Sequence, residues 1–278
     1  MSGSWKNPHE HRATLFKSLR DLDLSVIVPV FNEATHIKAN LDLLLAEVVP
    51  YFSKFEILVV CDGSTDGTEK VLSSYVHPQI KLISYQENHG KGYAIREGFK
   101  RAQGDFVLFI DGGMELHPRE IRIFLGLMEL YDADVVVASK RHPQSQIDYP
   151  TIRRVLSFIY QLLIRYLFKM NVTDTQVGLK LFKRDVIKAV LPHLRLDRYG
   201  ADLEILALAR AAGFQRFLEA PVRLDYFRTN SRPFIREMLH IFRVGASVIL
   251  DTLRLYSRIR KLTITAPSTT DKNHDIAA

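Results

Sequence analysis

Short apolar runs alternate with longer amphipathic segments through the first half of the chain. The runs are rich in Val, Ile and Phe, which favour β-strands, and the segments between them repeat their apolar residues with helical spacing. Strands are predicted at 24–31, 55–62, 81–85, 106–111 and 134–139, and helices at 34–49, 66–75, 92–102 and 119–131. Buried strands that alternate with helices predict a doubly wound α/β sheet with right-handed crossovers.

The second half of the chain breaks this alternation. An apolar helix with arginines near both ends is predicted at 151–169, followed by a compact segment at 174–184, a helix at 201–212 and a strand at 217–226. Residues 232–261 predict one or two amphipathic helices with seven basic and two acidic residues. The predicted parts are an N-terminal extension (1–22), a main domain (23–230), amphipathic helices (231–262) and a polar, disordered tail (263–278).

The balance of charge points to an anionic partner. The 278 residues carry a net charge of +7, which suits phosphates, an acidic membrane surface or nucleic acid. Nucleic acid is the least favoured of the three, because the basic residues are not interleaved with a recognised aromatic platform. The single cysteine, Cys61, excludes a disulfide within the chain and suits a reducing compartment.

No segment is predicted to carry the chain across a membrane. Residues 1–22 lack the apolar core of a signal peptide. No uncharged run much exceeds ten residues, whereas a spanning helix needs about 20 predominantly apolar residues. Attachment to a membrane surface is left open by these observations.

Polar loops follow each of the first four predicted strands. The loops contain Pro29-Val-Phe-Asn-Glu33, Asp62-Gly-Ser-Thr-Asp-Gly-Thr68, Asn88-His-Gly-Lys-Gly92 and Asp111. Ligands of open α/β sheets bind outside the carboxyl ends of the strands, where parallel strands share one edge. We therefore predict one site formed by these four loops.

Asp111 is the strongest candidate in that site. It ends an apolar strand and is followed by Gly112, Gly113 and Glu115. Carboxylates beside a glycine bend, where a ligand can approach the backbone, are typical of a divalent metal and a phosphate. The alternative interpretation is a strand end with a polar turn.

Lys91 lies between two glycines and is a candidate for a diphosphate contact, although a solvated lysine in a turn has the same pattern. The unit Gly90-Lys-Gly92 lacks the spacing of a Walker phosphate loop, and no Gly-x-Gly-x-x-Gly follows the first strand. These absences argue against an ATPase and a dinucleotide dehydrogenase.

Three side chains near the first two strand ends are candidates for nucleoside contacts. Asp62 and Glu33 carry oxygens that accept hydrogen bonds from a base or a ribose, and Phe31 has a ring that stacks on a base. The alternatives are a cap and turn for Asp62, a helix start for Glu33 and core packing for Phe31.

A basic cluster is predicted near the fifth strand. Arg153 and Ser157 are four residues apart and share one face of the helix at 151–169. With Arg141, just after the fifth strand, they could hold a phosphate through charge-assisted hydrogen bonds. Solvation of the helix is the alternative role for Arg153.

Five motifs in this order resemble the family-two inverting glycosyltransferases of the GT-A fold. They are Val28-Pro-Val-Phe-Asn-Glu33, Asp62-Gly-Ser-Thr-Asp-Gly-Thr68, Asn88-His-Gly-Lys-Gly-Tyr-Ala94, Ala102-Gln-Gly-Asp105 with Asp111, and Asp174-Thr-Gln-Val-Gly-Leu-Lys-Leu-Phe182. Within that family, residues 23–227 most resemble the polyprenyl-phosphate sugar synthases, of the dolichyl-phosphate mannose or glucose synthase type. The resemblance implies a Rossmann-like, doubly wound mixed sheet with C-terminal amphipathic helices.

The resemblance also implies a role for each motif residue. The implied nucleotide-sugar contacts are Pro29, Phe31, Glu33, Asp62, Lys91, Asp111, Gly112 and Gln176. Asp111 and Glu115 are the implied ligands of Mg²⁺ or Mn²⁺. The implied catalytic residues are Asp111, Arg141, Arg153, Ser157 and Asp202, with the two arginines and Ser157 at the acceptor phosphate. Asp174 and Glu204 match family positions near the sugar.

The chain departs from the family pattern at Gly113, where a second aspartate is usual. Glycine has no oxygen-bearing side chain, so a metal would keep Asp111, Glu115, the donor diphosphate and water. Mg²⁺ tolerates that arrangement, since it usually binds through one or two carboxylates plus phosphates. Weaker metal affinity or impaired catalysis is the expected consequence.

The implied reaction moves one sugar from a GDP-mannose or UDP-glucose type donor to a polyprenyl phosphate, with inversion. The acceptor is a lipid, so the expected location is the cytoplasmic face of a membrane, with the helices at 151–169 and 232–261 against the bilayer. One alternative is a soluble glycosyltransferase acting on a glycan or protein hydroxyl, with Asp202 as the base. Another is an inactive nucleotide-sugar binder disabled at Gly113. An oligomer is left open.

Overall fold

Seven strands form one mixed sheet in this computed structural model. The structure describes residues 20–145, 151–198, 200–223 and 248–262, with the backbone alone at 151–159. The strands are β1 (Asp23–Val30), β2 (Lys54–Asp62), β3 (Ile80–Tyr85), β4 (Phe106–Ile110), β5 (Val135–Ser139), β6 (Leu179–Lys183) and β7 (Phe217–Pro221). Their order across the sheet is β3-β2-β1-β4-β6-β5-β7.

The first four strands run parallel, so their carboxyl ends lie at one edge of the sheet. β1 pairs with β2 and β4, and β2 pairs with β3. Nearly every residue of β1 and β4 is buried, which requires that both faces of the sheet are covered. The five strands predicted in the first half are confirmed, with ends that differ by one residue at most.

The helices connect and cover the strands. In the described part of the chain they are α1 (Ile37–Val48), α2 (Thr68–Ser73), α3 (Lys91–Arg101), α4 (Glu120–Leu130), α5 (Thr151–Phe168), α6 (Arg184–Val190), α7 (Ala201–Ala211) and α8 (248–259). A 3₁₀ turn at Leu191–His193 follows α6. α1 shows the usual reason for helix formation here, since Ile37, Leu41, Leu44 and Val48 recur at helical spacing and are buried.

The segment at 174–184 departs from the parallel pattern. It contains β6, which we predicted only as part of a compact segment, and β6 lies antiparallel between β4 and β5. Leu179, Lys180, Leu181 and Phe182 are all buried. The insertion of this strand sets Lys180 opposite Phe109 in β4, at the centre of the sheet.

The described part of the predicted C-terminal helices packs onto α5. The hydroxyls of Tyr160 and Thr252 are 2.9 Å apart, and the rings of Phe168 and Tyr256 meet edge to face. α8 is therefore joined to the main domain rather than separate from it. Among the described helices, none combines the length and hydropathy needed to span a bilayer. Predictions for 1–19, 224–247 and 263–278 fall outside the described residues.

Candidate active site

Asp111 stands at the carboxyl end of β4, where the sheet meets solvent. Its side chain is 44% exposed. The backbone N–H of Asp111 donates to the carbonyl of Gly178 at 2.9 Å. A Cβ placed on Gly178 would lie 1.9 Å from Asp111 Oδ2, so the carboxylate occupies the space that any side chain at 178 would fill. The antiparallel strand β6 thus positions the predicted metal ligand.

Lys91 brings a cation to this carboxylate. It is the first residue of α3, and its Nζ lies 2.8 Å from Asp111 Oδ1 and 3.4 Å from Asp202 Oδ2. Although burial works against the charged form, Asp111 and Asp202 raise the pKa of the Lys91 ammonium above its ordinary value. Lys91 therefore remains a cation at the sheet edge, as the predicted diphosphate contact requires.

Asp202 lies deeper, in the first turn of α7. Its Oδ1 accepts a 2.6 Å hydrogen bond from the buried Lys180, and its Oδ2 faces Lys91. Burial opposes ionisation, but Lys180 and Lys91 together lower the pKa of Asp202 below its ordinary value. A carboxylate held between two ammonium groups is a weak proton acceptor, so this geometry favours an electrostatic role for Asp202 over the base considered above.

A cleft of about 220 Å³ opens beside Asp111. It is lined by Ile110, Asp111, Glu115, Leu116, Lys140, Gln176 and Gly178. Glu115 and Gln176 are exposed and share the cleft with Asp111, and their roles as a metal ligand and a nucleotide-sugar contact stay predictions. The cleft brings together acidic, basic and amide side chains, which suits an anionic ligand with a bound cation.

Lys140 is the residue in this cleft that sequence reasoning missed. It follows β5 directly, so its position after a strand end was the available signal. Arg141, which we predicted instead, directs its guanidinium to the side-chain oxygen of Gln161 on α5. Lys140 therefore lines the cleft with Asp111 and Glu115, and the role of Arg141 at the acceptor phosphate stays a prediction.

The other predicted acceptor contacts lie on α5. Arg153 and Ser157 both belong to this helix, as predicted, but their side chains are outside the described residues. Their proximity to Asp111 stays a prediction.

Asp62 has a structural task that was not predicted. Its carboxylate accepts hydrogen bonds from the side chain of Asn88 and from the backbone N–H groups of His89 and Gly90, at 2.8–2.9 Å. The side chain is almost completely buried. Asp62 thereby fixes the loop that leads into Lys91, which is a more direct explanation of its burial than contact with a base or a ribose.

The loops after β1 and β2 are joined by hydrogen bonds. The side chain of Asn32, at φ 54°, accepts from the N–H of Thr65, and the N–H of Ala34 donates to Asp66. Burial opposes ionisation of Asp66, but hydrogen bonds from Thr68, Ala34 and its own loop lower the pKa of Asp66. These bonds order the surface that was predicted to hold the nucleoside.

The remaining predicted nucleoside residues lie on that surface. Phe31 is 47% exposed, which suits stacking better than the core packing considered as its alternative. The carbonyl of Pro29 accepts from the N–H of Gly112 at 3.1 Å, so the ends of β1 and β4 are directly joined. Glu33 Oε1 lies 3.4 Å from the position that a Cβ on Gly113 would take. Glu33 therefore borders the metal region as well as the β1 loop.

A single acid anchors the loop that carries Asp174 and Gln176. Glu219 in β7 accepts from the N–H and the hydroxyl of Thr173 and from the N–H of Asp174. Burial raises the pKa of the Asp174 carboxyl despite the nearby Lys140 and Lys180. The hydrogen bonds to Glu219 therefore fix the loop between α5 and β6 against β7.

The donor set fits a cation shared with a substrate. Among the described residues, no group of three or more His, Cys, Asp and Glu side chains is arranged to hold a metal ion. Asp111 and Glu115 nevertheless line one cleft, and the absent side chain of Gly178 leaves room for the Asp111 carboxylate. Mg²⁺ usually takes one or two carboxylates and completes its shell with phosphate and water, so these two residues suffice if a diphosphate is present.

Curated relatives carry a glycosyltransferase name. Over 223 residues the chain is 31% identical to a dolichyl-phosphate beta-glucosyltransferase of Drosophila melanogaster, covering 73% of this chain and 68% of that protein. A protein of the same name from Dictyostelium discoideum is 30% identical over 202 residues, covering 67% of this chain. The match spans 62% of the Dictyostelium protein's length.

Solved structures share the fold. Glucosyl-3-phosphoglycerate synthase from Mycobacterium tuberculosis, in complex with Mn²⁺, UDP and phosphoglyceric acid, has a TM-score of 0.65 at 19% identity, covering 92% of this chain and 84% of its own. Mannosyl-3-phosphoglycerate synthase from Rubrobacter xylanophilus has a TM-score of 0.68 at 19% identity, covering 89% and 79%. The family model described as "Glycosyl transferase family 2" matches residues 25–191. The mixed sheet, the carboxylate at the end of β4 and these matches together show that the chain belongs to glycosyl transferase family 2 and has the GT-A fold.

Proposed function

We propose that this protein transfers glucose from UDP-glucose to a polyprenyl phosphate of the dolichyl type, with inversion at the anomeric carbon. The observation that carries the proposal is the cleft beside Asp111, which is lined by two carboxylates and by Lys140 at the sheet edge. The names of the relatives favour glucose over mannose and dolichyl phosphate over a hydroxyl acceptor.

The donor diphosphate would lie at Asp111 and Lys91. In this arrangement the Lys91 ammonium neutralises part of the negative charge that develops on the leaving diphosphate. Asp111 and Glu115 would hold Mg²⁺ or Mn²⁺, and such an ion, when bound, adds further positive charge at the same oxygens. Phe31 and the joined loops after β1 and β2 would receive the nucleoside.

The acceptor phosphate would enter beside Lys140. A phosphate oxygen attacks the anomeric carbon, the bond from that carbon to the diphosphate oxygen breaks, and the electron pair leaves with the nucleoside diphosphate. The acceptor is already anionic near neutral pH, so no strong general base is needed. Lys140 attracts and orients the nucleophile, with Arg153 and Ser157 as further proposed contacts.

We also propose that the protein rests on a membrane surface through α8. Ile249, Leu250 and Leu253 are exposed on this helix, and Arg254 beside them is 76% exposed. Apolar side chains next to exposed basic ones suit an interface with anionic headgroups, and the net charge of +7 supports the same orientation. At the membrane surface the domain would reach the phosphate group of a polyprenyl phosphate whose chain lies in the bilayer.

The decisive experiment is a donor screen with a short polyprenyl phosphate, with and without Mn²⁺, that measures sugar in the extracted lipid. We expect UDP-glucose to give a glucosylated lipid, and the dephosphorylated polyprenol to give none. Asp111→Asn is the matched control and should lose most of the product. Transfer to the free polyprenol would favour the hydroxyl-directed alternative, and the absence of lipid product with every donor would defeat the proposal.

A further inference from the structure

Lys180 is a completely buried lysine in the middle of the sheet. Its side chain has no exposure, and its Nζ donates to Asp202 Oδ1 and to the carbonyl of Val177, each at 2.6 Å. Burial lowers the pKa of its ammonium, and the Asp202 carboxylate acts against that shift. The ammonium also lies 4.9 Å from the centre of the Phe109 ring. Burying an ion pair costs several kcal/mol of desolvation, and apolar residues of similar volume often stabilise a fold better. Fold stability alone therefore gives little reason for a lysine here.

The carboxylate that Lys180 contacts is shared with the candidate active site. One oxygen of Asp202 faces Lys180 and the other faces Lys91, so the four groups Lys180, Asp202, Lys91 and Asp111 form a row of alternating charge. The row begins in the core and ends at the exposed edge of the sheet, where the Asp111 side chain is 44% exposed.

The distances along this row are unequal. Asp202 is 2.6 Å from Lys180 but 3.4 Å from Lys91, whereas Lys91 is 2.8 Å from Asp111. Lys180 is the nearer of the two cations to the Asp202 carboxylate. The Lys91 ammonium lies closer to Asp111 and the cleft than to Asp202. Without the charge of Lys180, Asp202 would have Lys91 as its nearest cation and would attract it inward.

We propose that Lys180 is a positioning residue for Lys91: by compensating the charge of Asp202, it keeps the Lys91 ammonium directed at Asp111 and at the diphosphate of the donor. The inference rests on the proposed function, since it takes a nucleoside diphosphate as the ligand of Lys91. Lys180 itself does not reach the ligand, and it acts through Asp202.

The inference predicts a rescue. In Lys180→Met the side chain is unbranched like lysine and one atom shorter, and it has no charge, so Lys91 withdraws toward Asp202 and affinity for UDP falls about tenfold. In the double variant Lys180→Met, Asp202→Asn the inward attraction is gone, and the affinity returns to within about twofold of the parent protein. Because removing both partners of a buried ion pair can also repair a destabilised fold, the thermal midpoints distinguish a repaired fold from a repositioned Lys91.

The test is calorimetric titration of UDP, with and without Mn²⁺, into the parent, both single variants and the double variant. Lys183→Met is the control, because Lys183 lies on the same strand but pairs with Asp132 at the surface. We expect this control to bind UDP like the parent. The thermal midpoint of each variant is measured in parallel, so that loss of fold and loss of affinity are separated.

Each result has one meaning. Unchanged affinity in Lys180→Met, or an affinity that stays low in the double variant, overturns the inference while leaving the proposed function intact. A parent protein that does not bind UDP in either condition counts against the proposed function itself. If Lys180→Met does not fold, Asp202→Asn decides: tighter UDP binding supports the inference, since Asp202 then competes with the ligand for Lys91, and unchanged or weaker binding overturns it.

Discussion

The carboxylate of Asp111 lies against the backbone of Gly178, so closely that a Cβ on Gly178 would stand 1.9 Å from Asp111 Oδ2. The two residues are also joined by the hydrogen bond from the Asp111 N–H to the Gly178 carbonyl. Gly178 immediately precedes β6, and Asp111 immediately follows β4. The antiparallel pairing of these strands therefore sets where the carboxylate stands, and the missing side chain of Gly178 keeps its place open.

Gly178→Ala should therefore displace the Asp111 carboxylate and reduce kcat/KM by about a hundredfold, because a misplacement of 1 Å can cost that much in a preorganised site. Glucosyl transfer to polyprenyl phosphate is the measurement. The control is Gly113→Ala, whose added Cβ meets nothing closer than Glu33 Oε1 at 3.4 Å. Equal activity in the two alanine variants would show that Asp111 tolerates a different orientation.

Lys140 and Arg141 differ in what they face, and their variants should differ accordingly. Lys140 lines the cleft with Asp111, whereas Arg141 donates to Gln161. Lys140→Met is expected to raise KM for polyprenyl phosphate about tenfold, the loss expected for one charge-assisted contact. Arg141→Met is the matched comparison and should raise it by a smaller factor. A larger effect at Arg141 would favour Arg141 as the main acceptor contact, as the sequence predicts.

The alternation of apolar runs and helices was enough to predict the parallel half of the fold. The strands β1 to β5 could be located because each is a run of Val, Ile and Phe between polar loops. The buried position of β6 could not be predicted in the same way. Leu-Lys-Leu-Phe-Lys alternates like a strand with one solvated face, and that pattern would place Lys180 in water. In a sheet covered on both faces, the same alternation buries the lysine.

The candidate site was predictable in its acids and less so in its cations. Asp111 directly follows β4, and Lys91 follows the polar loop after β3. The parallel topology brings the carboxyl ends of these strands to one edge of the sheet. Lys140 and Arg141 are adjacent in sequence, so a one-residue difference decides which of them faces the cleft, and no periodicity resolves it. The task of Asp62 depends on three donors about 26 to 28 positions away, which sequence spacing does not reveal.

Arg258 and Arg254 of α8 should contribute to different properties: Arg258 to the stability of the fold and Arg254 to membrane binding. We expected the helices at 232–261 to lie against the bilayer, but Arg258 donates to Glu204, which is completely buried and also accepts from the N–H groups of Arg195 and Leu196. Arg258→Ala should lower the free energy of unfolding by about 1–3 kcal/mol, since it leaves a buried carboxylate with fewer partners. Urea unfolding monitored by circular dichroism measures this.

Arg254 supplies the control on the same helix. It is largely exposed and pairs with Asp251 one turn earlier, so Arg254→Ala should change the free energy of unfolding by about 0.5 kcal/mol or less. It should instead weaken sedimentation with vesicles that contain anionic lipid. Unaltered vesicle binding in Arg254→Ala, together with the same result for Leu253→Ser, would count against α8 as the membrane contact.

Glu56 predicts how stability depends on pH. Burial opposes its ionisation, but hydrogen bonds from Lys81, Ser25 and the N–H of Gln103 hold the pKa of Glu56 below its ordinary value of 4.5. A lowered pKa in the folded state stabilises the fold above the unfolded pKa, and that stabilisation is lost as pH falls through the folded one. Glu56→Gln should cost about 1–2 kcal/mol at neutral pH.

The same variant should show a smaller decline in stability on acidification. Below about pH 4.5 the parent loses the contribution of the ionised Glu56, and Glu56→Gln has none to lose, so the two unfolding free energies converge. Urea titrations between about pH 3 and pH 7 provide the comparison. Parallel curves for parent and variant across that range would contradict the role assigned to Glu56.

Gly113→Asp tests whether position 113 faces the cation. The position has room, because a Cβ there makes its nearest contact with Glu33 Oε1 at 3.4 Å, and its φ is not in the left-handed region. A carboxylate two residues after Asp111 should tighten Mn²⁺ binding in the presence of UDP about tenfold, which corresponds to about 1.4 kcal/mol. Electron paramagnetic resonance of free Mn²⁺ measures the affinity, and Gly113→Asn is the uncharged control of the same shape.

Because Asp111 and Glu115 already fit a cation shared with the diphosphate, the parent should itself turn over UDP-glucose. Turnover confined to Gly113→Asp would instead mark the protein as a nucleotide-sugar binder, and equal Mn²⁺ affinity in the Asp and Asn variants would place residue 113 away from the metal.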